Sequence, residues 1–430
     1  MAIAEQHRVT RRDFLKTTGT GAAVMTAGAA VAPAVVAGKA PNSTIGVGMI
    51  GLGVRGGDLV KDVLRVPEAR IVAVCDVYKP HLEKGVQGSG NPDVHRYVEY
   101  RDLLADKAVD AVVIATPDHW HEQMTIDAAN AGKDVYCEKG WGMSVAEAKS
   151  MRDAIKKNRT VFQLGHQARE NRVSLQAAQL IAEGALGPVT MVHLGRFGNR
   201  PLSSNIWRWY GYYDKFDRPD PAQVQRDLDW SRWLGRAPKI PFSMEHFWHW
   251  RCYWAYGTGI AGDLLSHDMD FVQSVLKHGI PDACMTMGMI ALLKDGREVP
   301  DTWNVIYHFE KLGRTVTYDN SLNSGAIQLP EFRGKDAMLR FDDYPAGARG
   351  FEIIPERQSD RKPPQTAFDP DKTSRQPSHM QDFINCVRSR AKPKCNEDEA
   401  FIETVTFMMS VESYRQKRQV RWDAQKQQIV

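Results

Sequence analysis

Cysteine is scarce and dispersed: six residues in 430 (Cys75, Cys137, Cys252, Cys284, Cys386 and Cys395), with no CxxC pair. That spacing excludes a disulfide framework and a zinc-ribbon type of structural site, and the six read as small buried hydrophobes. Also missing is any long run of like charge. Lys and Arg number 56 against 52 Asp and Glu, a formal net charge of +4 spread along the chain, so electrostatics nominates no nucleic acid or other polyanion as partner. Internal repeats and low-complexity tracts are absent. With 43% hydrophobic and 25% charged residues, disordered, collagenous and coiled-coil classes are excluded, and the length suffices for two domains with separate cores.

A strongly apolar membrane span is lacking as well. The N-terminal stretch 17–37 is rich in Ala, Gly and Val, only weakly hydrophobic, and broken by Pro33, which argues against an anchor. It follows Thr10-Arg11-Arg12-Asp13-Phe14-Leu15-Lys16, and paired arginines ahead of Phe-Leu-Lys resemble a twin-arginine export signal. That resemblance implies a signal peptide over 1–40, export by the twin-arginine machinery to the periplasm or beyond the cell, and a protein folded around its cofactor before export. Cleavage after Ala34, Ala37 or Ala40 suits the small-residue rule. Loss of 1–37 removes Arg8, Arg11, Arg12 and Lys16 against Glu5 and Asp13, which lowers the net charge of +4 by two.

What the chain does contain begins with a short apolar strand, 45–50, followed at once by Gly51-Leu52-Gly53-Val54-Arg55-Gly56 and a helical stretch, 58–65. Such a loop needs its first glycine for the tight turn, its second for backbone approach to a pyrophosphate, and its third for close helix–strand packing. A second strand, 70–74, leads into Cys75-Asp76, where a carboxylate binds ribose hydroxyls and favours NAD; nearby Lys79 leaves NADP possible. Strands at 110–115, 134–137 and 160–164 alternate with helices at 121–131 and 145–158, the latter opened by Ser144 and Glu147 at capping-box spacing. This predicts an α/β fold with a doubly wound parallel sheet over 41–168. Its ligand loops are 51–56, 76–79, 116–121 and 138–141, at the carboxyl ends of the strands.

From Gly187 the pattern changes to strands with looser connections: 189–197, 283–292, 302–310, 314–319, 337–341 and 351–354. These predict a second, α+β domain over 169–377 with a large, mostly antiparallel open sheet. A Pro- and charge-rich surface excursion spans 355–377. Helices at 378–390 and 397–418, in a C-terminal segment 378–430, pack back on the body, and a short tail holds Trp422. An aromatic insert, 200–256, contains Trp207, Trp209, Trp230, Trp233, Phe247, Trp248, Trp250 and several tyrosines, interleaved with Arg208, His246, His249 and Arg251. Aromatic faces stack on sugar rings, and Trp209, Trp250 and Arg251 are candidate substrate contacts; packing of the insert on itself or on a second subunit is the alternative. His166 and Gln167 are candidate contacts near the cofactor. Two histidines three apart in an aromatic loop do not define a metal site, and none is assigned.

The Gly51–Gly56 loop, Ala115-Thr116-Pro117-Asp118-His119-Trp120-His121, Glu138-Lys139 and Gly262-Asp263-Leu264-Leu265-Ser266-His267 resemble, in order and spacing, the glucose–fructose oxidoreductase, inositol dehydrogenase and MocA family. The resemblance covers most of 45–420. It implies a tightly bound NAD (or NADP), contacted by Gly51, Leu52, Gly53, Val54, Arg55, Gly56, Asp76, Thr116, Asp118, His121, Glu138 and Lys139. It also implies Lys139, Asp263 and His267 as catalytic groups, and a homodimer or homotetramer through the second sheet. Gly140 stands where that family usually has proline, which removes a fixed φ beside Lys139. Hydride removal from a secondary alcohol needs a base and a group to stabilise the alkoxide. Lys139 suits the second role and His267 the first, with Asp263 one helical turn before it to orient the ring. The expected activity is oxidation of a sugar, polyol or glycoside. The alternative is a redox-neutral cycle through a transient ketone, as in exported NAD-dependent glycosidases of that superfamily, whose Thr-His-Gly-x-Gly-Pro-Val segment is missing here. A noncatalytic carbohydrate sensor is a third reading.

Overall fold

The computed structural model describes residues 44–199, 220–325, 328–344, 347–359, 368–372 and 376–430. The signal segment, Trp207, Arg208 and Trp209 lie outside them.

Six strands, β1 (Ile45–Ile50), β2 (Ala69–Cys75), β3 (His95–Tyr97), β4 (Ala111–Ile114), β5 (Asp134–Cys137) and β6 (Phe162–Leu164), form one sheet in the order 3-2-1-4-5-6, parallel throughout. β1, β4, β5 and β6 are buried at every position, as strands covered on both faces must be. The order reverses between β1 and β4, so the crevice at their carboxyl ends is the expected ligand site. The helices that follow β1, β4 and β5 are α1 (Val54–Leu64), α4 (His121–Asn130) and α5 (Val145–Asn158). Those between β2 and β4 are α2 (Lys79–Gly88) and α3 (Tyr100–Ala105). At the start of α5 the Ser144 hydroxyl accepts from Glu147 N–H, as the capping box requires, but Glu147 returns its bond to Met143 N–H, one residue further out.

Among the described residues the second half builds a ten-stranded sheet. Its long central members are β7 (Val189–Asn199), β8 (Ala283–Met289), β9 (Thr302–Phe309) and β10 (Arg314–Ser321). It is antiparallel except where β7 runs parallel to β10. β9 alternates buried and exposed residues along its length, the mark of one covered face and one open one. The covered face meets the last long helix, Glu397–Gln416, buried on nearly all sides because it also packs against α5. His379–Ser389 packs with the first domain's core. One result differs from the sequence reading: the tail around Trp422 is a strand, Val420–Asp423, pairing with β8.

Candidate active site

Gly51 turns the chain out of β1 with φ +84°, and a Cβ there would come within 2.9 Å of the Ala115 and Thr116 backbone. At Gly56 a Cβ would sit 2.0 Å from the Gly51 carbonyl oxygen. At Gly53, by contrast, a Cβ would meet only the His81 ring, at 3.7 Å. The loop is therefore closed where it packs and open where a pyrophosphate would approach, at the start of α1. Leu52 lies buried beneath it, and its N–H donates to Asp76 Oδ2 at 2.7 Å. Asp76 Oδ1 accepts from Tyr78 N–H at 2.8 Å, so the carboxylate ties two loops together while lining the cavity. Lys79 turns away, 68% exposed beside Glu83.

The four loops surround a cavity of about 500 Å³. Of the predicted residues, Gly51, Gly53, Val54, Arg55, Asp76, Thr116, Asp118, Glu138, Lys139, Gln167, Trp250, Arg251 and His267 line it. Leu52 and Gly56 support it from behind, and Trp209 lies outside the described residues. Arg55 reaches across the floor to Glu138, Nε to Oε1 2.8 Å, and Tyr136 Oη, itself accepting from Gln167, donates to the same oxygen. Burial raises the Glu138 carboxyl, but the Arg55 charge outweighs it and holds the group below its ordinary value.

His121 has a different place from the one expected. It is 1% exposed and away from the cavity wall, with Nδ1 3.0 Å from Gly140 O and Nε2 2.9 Å from Thr116 O. It braces the third and fourth ligand loops against each other.

Lys139 Nζ donates to Asp263 Oδ1 at 2.5 Å and to the Asp263 carbonyl at 2.8 Å, and Arg251 Nε donates to the same Oδ1 at 3.0 Å. Burial alone would raise Asp263; the two cations overcome it and hold the carboxyl at about 2. Asp263 is therefore the counter-ion that fixes Lys139 and Arg251, and the expected orientation of His267 by Asp263 is not found. The cause is local. Ala261–Leu265 is a π-helical turn, with Ser266 N–H bonded to Ala261 O, and the extra residue in the turn separates two side chains that α-helical spacing would pair.

His267 instead stands against His166, Nδ1 to Nδ1 3.2 Å, and His166 Nε2 lies 3.1 Å from Glu403 Oε1. His166, read as a cofactor contact, is buried behind His267. Burial and the positive charge of Lys139 hold His267 well below its ordinary value, so it is neutral near pH 7. Glu403 comes from the last long helix and was not foreseen. Its one signal was a lone acid beside the largely apolar run Thr404–Met409.

Asp118 is the unusual group. Its Oδ2 occupies a hollow made by glycines: a Cβ on Gly140, Gly257 or Gly262 would lie 2.7, 3.2 or 3.7 Å from it. Burial, against the pull of Lys139 and Arg251, pushes its carboxyl up to about 8. Gly140 itself has φ +75°, which explains why proline is missing there.

The described part of the aromatic insert packs partly on itself and partly lines the cavity. Trp230 stacks on Trp233 at 4.8 Å, and the Trp233 ring meets Tyr256 and His119 edge-on. The Trp233 carbonyl accepts from Trp120 Nε1 at 2.8 Å, pinning the insert to the third ligand loop. Trp248 and Trp250 remain on the cavity wall, with the Arg251 guanidinium 4.1 Å above the Trp250 ring.

Two models of the Gfo/Idh/MocA group match this chain. The one for the oxidoreductase family's NAD-binding Rossmann fold covers 45–166, and the one for its C-terminal alpha/beta domain covers 178–317. Inositol 2-dehydrogenase 1 of Saccharopolyspora erythraea is 29% identical over 193 residues, 44% of this chain and 54% of the relative. A glycosyl hydrolase family 109 protein of Shewanella baltica is 27% identical over 234 residues, 48% and 51% respectively. The chain thus spans about half the length of the curated relatives it matches. In fold, it superposes with TM-score 0.65 on the WlbA dehydrogenase of Bordetella pertussis, solved with NADH and UDP-GlcNAcA, at 18% identity over 88% of this chain and 99% of that one. With both halves matched by models of one family, over more than half its length, the chain belongs to the Gfo/Idh/MocA oxidoreductases.

Proposed function

We propose that this protein is an NAD-dependent oxidoreductase that takes hydride from a secondary hydroxyl of a sugar, polyol or glycoside. The observation that carries the reading is the meeting, on one cavity, of the open Gly53 backbone and Asp76 with Lys139 and a neutral His267. Bound nicotinamide dinucleotide supplies the hydride acceptor. The chain's own part is to hold the substrate and move its proton. Lys139, fixed by Asp263, offers positive charge to the developing alkoxide. His267 accepts the hydroxyl proton. Trp248 and Trp250 give apolar faces for a sugar ring, and Arg251 a donor for its hydroxyls. Asp76, with Lys79 turned away, supports NAD over NADP.

A redox-neutral cycle is the second reading, favoured by one observation. Asp118, a carboxyl protonated near neutral pH beside the same cavity, is a second proton-transfer group that simple alcohol oxidation does not need, and the similarity to glycosyl hydrolase family 109 proteins agrees with it. Export through the twin-arginine segment and assembly through the second sheet complete the proposal; an exported enzyme that keeps one tightly bound NAD would not depend on a free coenzyme pool.

The deciding experiment is mass analysis of nucleotide released from protein purified without added cofactor, followed by a carbohydrate panel monitored by reduced-nicotinamide absorbance. Lys139→Met and His267→Ala should each lower turnover about 10²-fold or more with nucleotide still bound. Undiminished turnover in both would overturn the site. Product formation without net reduction selects the second cycle.

A further inference from the structure

We propose that Glu403, His166 and His267 form a proton relay in which the proton taken from substrate comes to rest on His166 rather than on His267. This rests on the reading of His267 as the group facing the substrate hydroxyl.

Geometry fixes the hydrogen positions. The His166 and Glu403 side chains are 1% and 0% exposed, so their partners are each other and not water. Burial raises the Glu403 carboxyl and the His166 ring opposes that rise; in the ionised state the carboxylate only accepts, so His166 Nε2 carries a hydrogen toward Glu403 Oε1, 3.1 Å away. At the other end two ring nitrogens face one another at 3.2 Å, with the rings edge-on at 83°. A contact that short between nitrogens holds one hydrogen, donated by one ring to the lone pair of the other. When His166 is neutral its Nδ1 is bare, so His267 Nδ1 must donate. The His267 Nε2 lone pair is then left for the cavity.

In the step itself, the substrate O–H bond breaks as its carbon gives up hydride to the nicotinamide, and a proton arrives at His267 Nε2. The His267 Nδ1–H bond breaks and a His166 Nδ1–H bond forms. His267 ends neutral in its other tautomer, and His166 ends as an imidazolium against the Glu403 carboxylate. The surrounding charges agree. His267 is buried and faces Lys139, His166, Arg196 and Arg55, all of which oppose a positive ring. His166 is equally buried, yet Asp270 and Glu403 outweigh burial and Arg169 and raise it. Asp270 is itself held in place by Arg169, Nη2 to Oδ1 2.6 Å.

The test is ¹⁵N NMR of histidine-labelled full-length protein, without substrate, across pH. On acidification His166 should charge, while His267 switches from the Nδ1–H to the Nε2–H tautomer in the same transition without becoming an imidazolium. Glu403→Gln keeps an acceptor but removes the charge. It should move that transition about one pH unit or more downward, shift the acid limb of kcat/KM the same way, and lower kcat about tenfold or more. A wild-type His267 that charges before His166, or that keeps one tautomer throughout, overturns the relay and needs no variant. If no carbohydrate is oxidised, the functional reading fails while the NMR result still decides the relay.

Discussion

Asp118 keeps its proton because it is buried with glycine backbone packed around Oδ2, where a side-chain donor would stabilise the anion. A carboxyl held at about 8, far above its ordinary 3.8, binds a proton in the folded state that the unfolded chain releases near pH 4. Its contribution to stability is complete below that pH and is lost as pH rises through the folded value. Asp118→Asn mimics the neutral acid and has no such dependence. Urea midpoints between pH 5 and 9 should therefore show the wild type falling relative to the variant, by an amount on the order of a few kcal/mol at the alkaline end. Parallel curves would mean that Asp118 is ionised in the fold. That Lys139, Asp263 and His267 come together was legible in the sequence, since each sits on a short motif. Their pairing was not: it depends on one residue of helical pitch at 261–265, on which the composition of Gly262–His267 is silent.

At the level of elements, the fourth ligand loop turns through Gly140 in the left-handed region, φ +75°, with the Asp118 carboxyl packed where a Cβ would project. Gly140→Pro, which restores the residue common in the family, cannot adopt that φ and should cost about 1–3 kcal/mol or more, with Gly140→Ala less severe. Thermal unfolding of the two variants checks the order, and a proline variant as stable as wild type would refute the turn. Strands and helices of the first domain were readable because hydrophobic runs, glycine punctuation and the capping box at Ser144 all agree locally. The strand Val420–Asp423 was missed for the opposite reason. Four residues are too short a run to show a strand period, and what makes them a strand is the edge of β8 on one side and Gln428–Ile429 on the other.

For the molecule as a whole, the open face of the second sheet is the notable surface. Met191, Met285, Met287, Met289 and Ile306 are between 39% and 69% exposed, and Met285 lies directly across from Ile306. Exposed apolar side chains clustered on β8 and β9 suit burial against another copy, each gaining about 1.5–3 kcal/mol on full burial. Light scattering should find an oligomer that Met287→Lys combined with Met289→Lys dissociates with little change in nucleotide content. An unaltered mass would place the interface elsewhere. A wider consequence follows from where Glu403 sits: 237 positions separate it from His166. The nucleotide cradle is encoded before residue 170, whereas the group that anchors the deep end of the histidine pair lies on the last helix to leave the ribosome. The proposed relay therefore cannot assemble until Glu397–Gln416 has been made, although both of its histidines are synthesised long before.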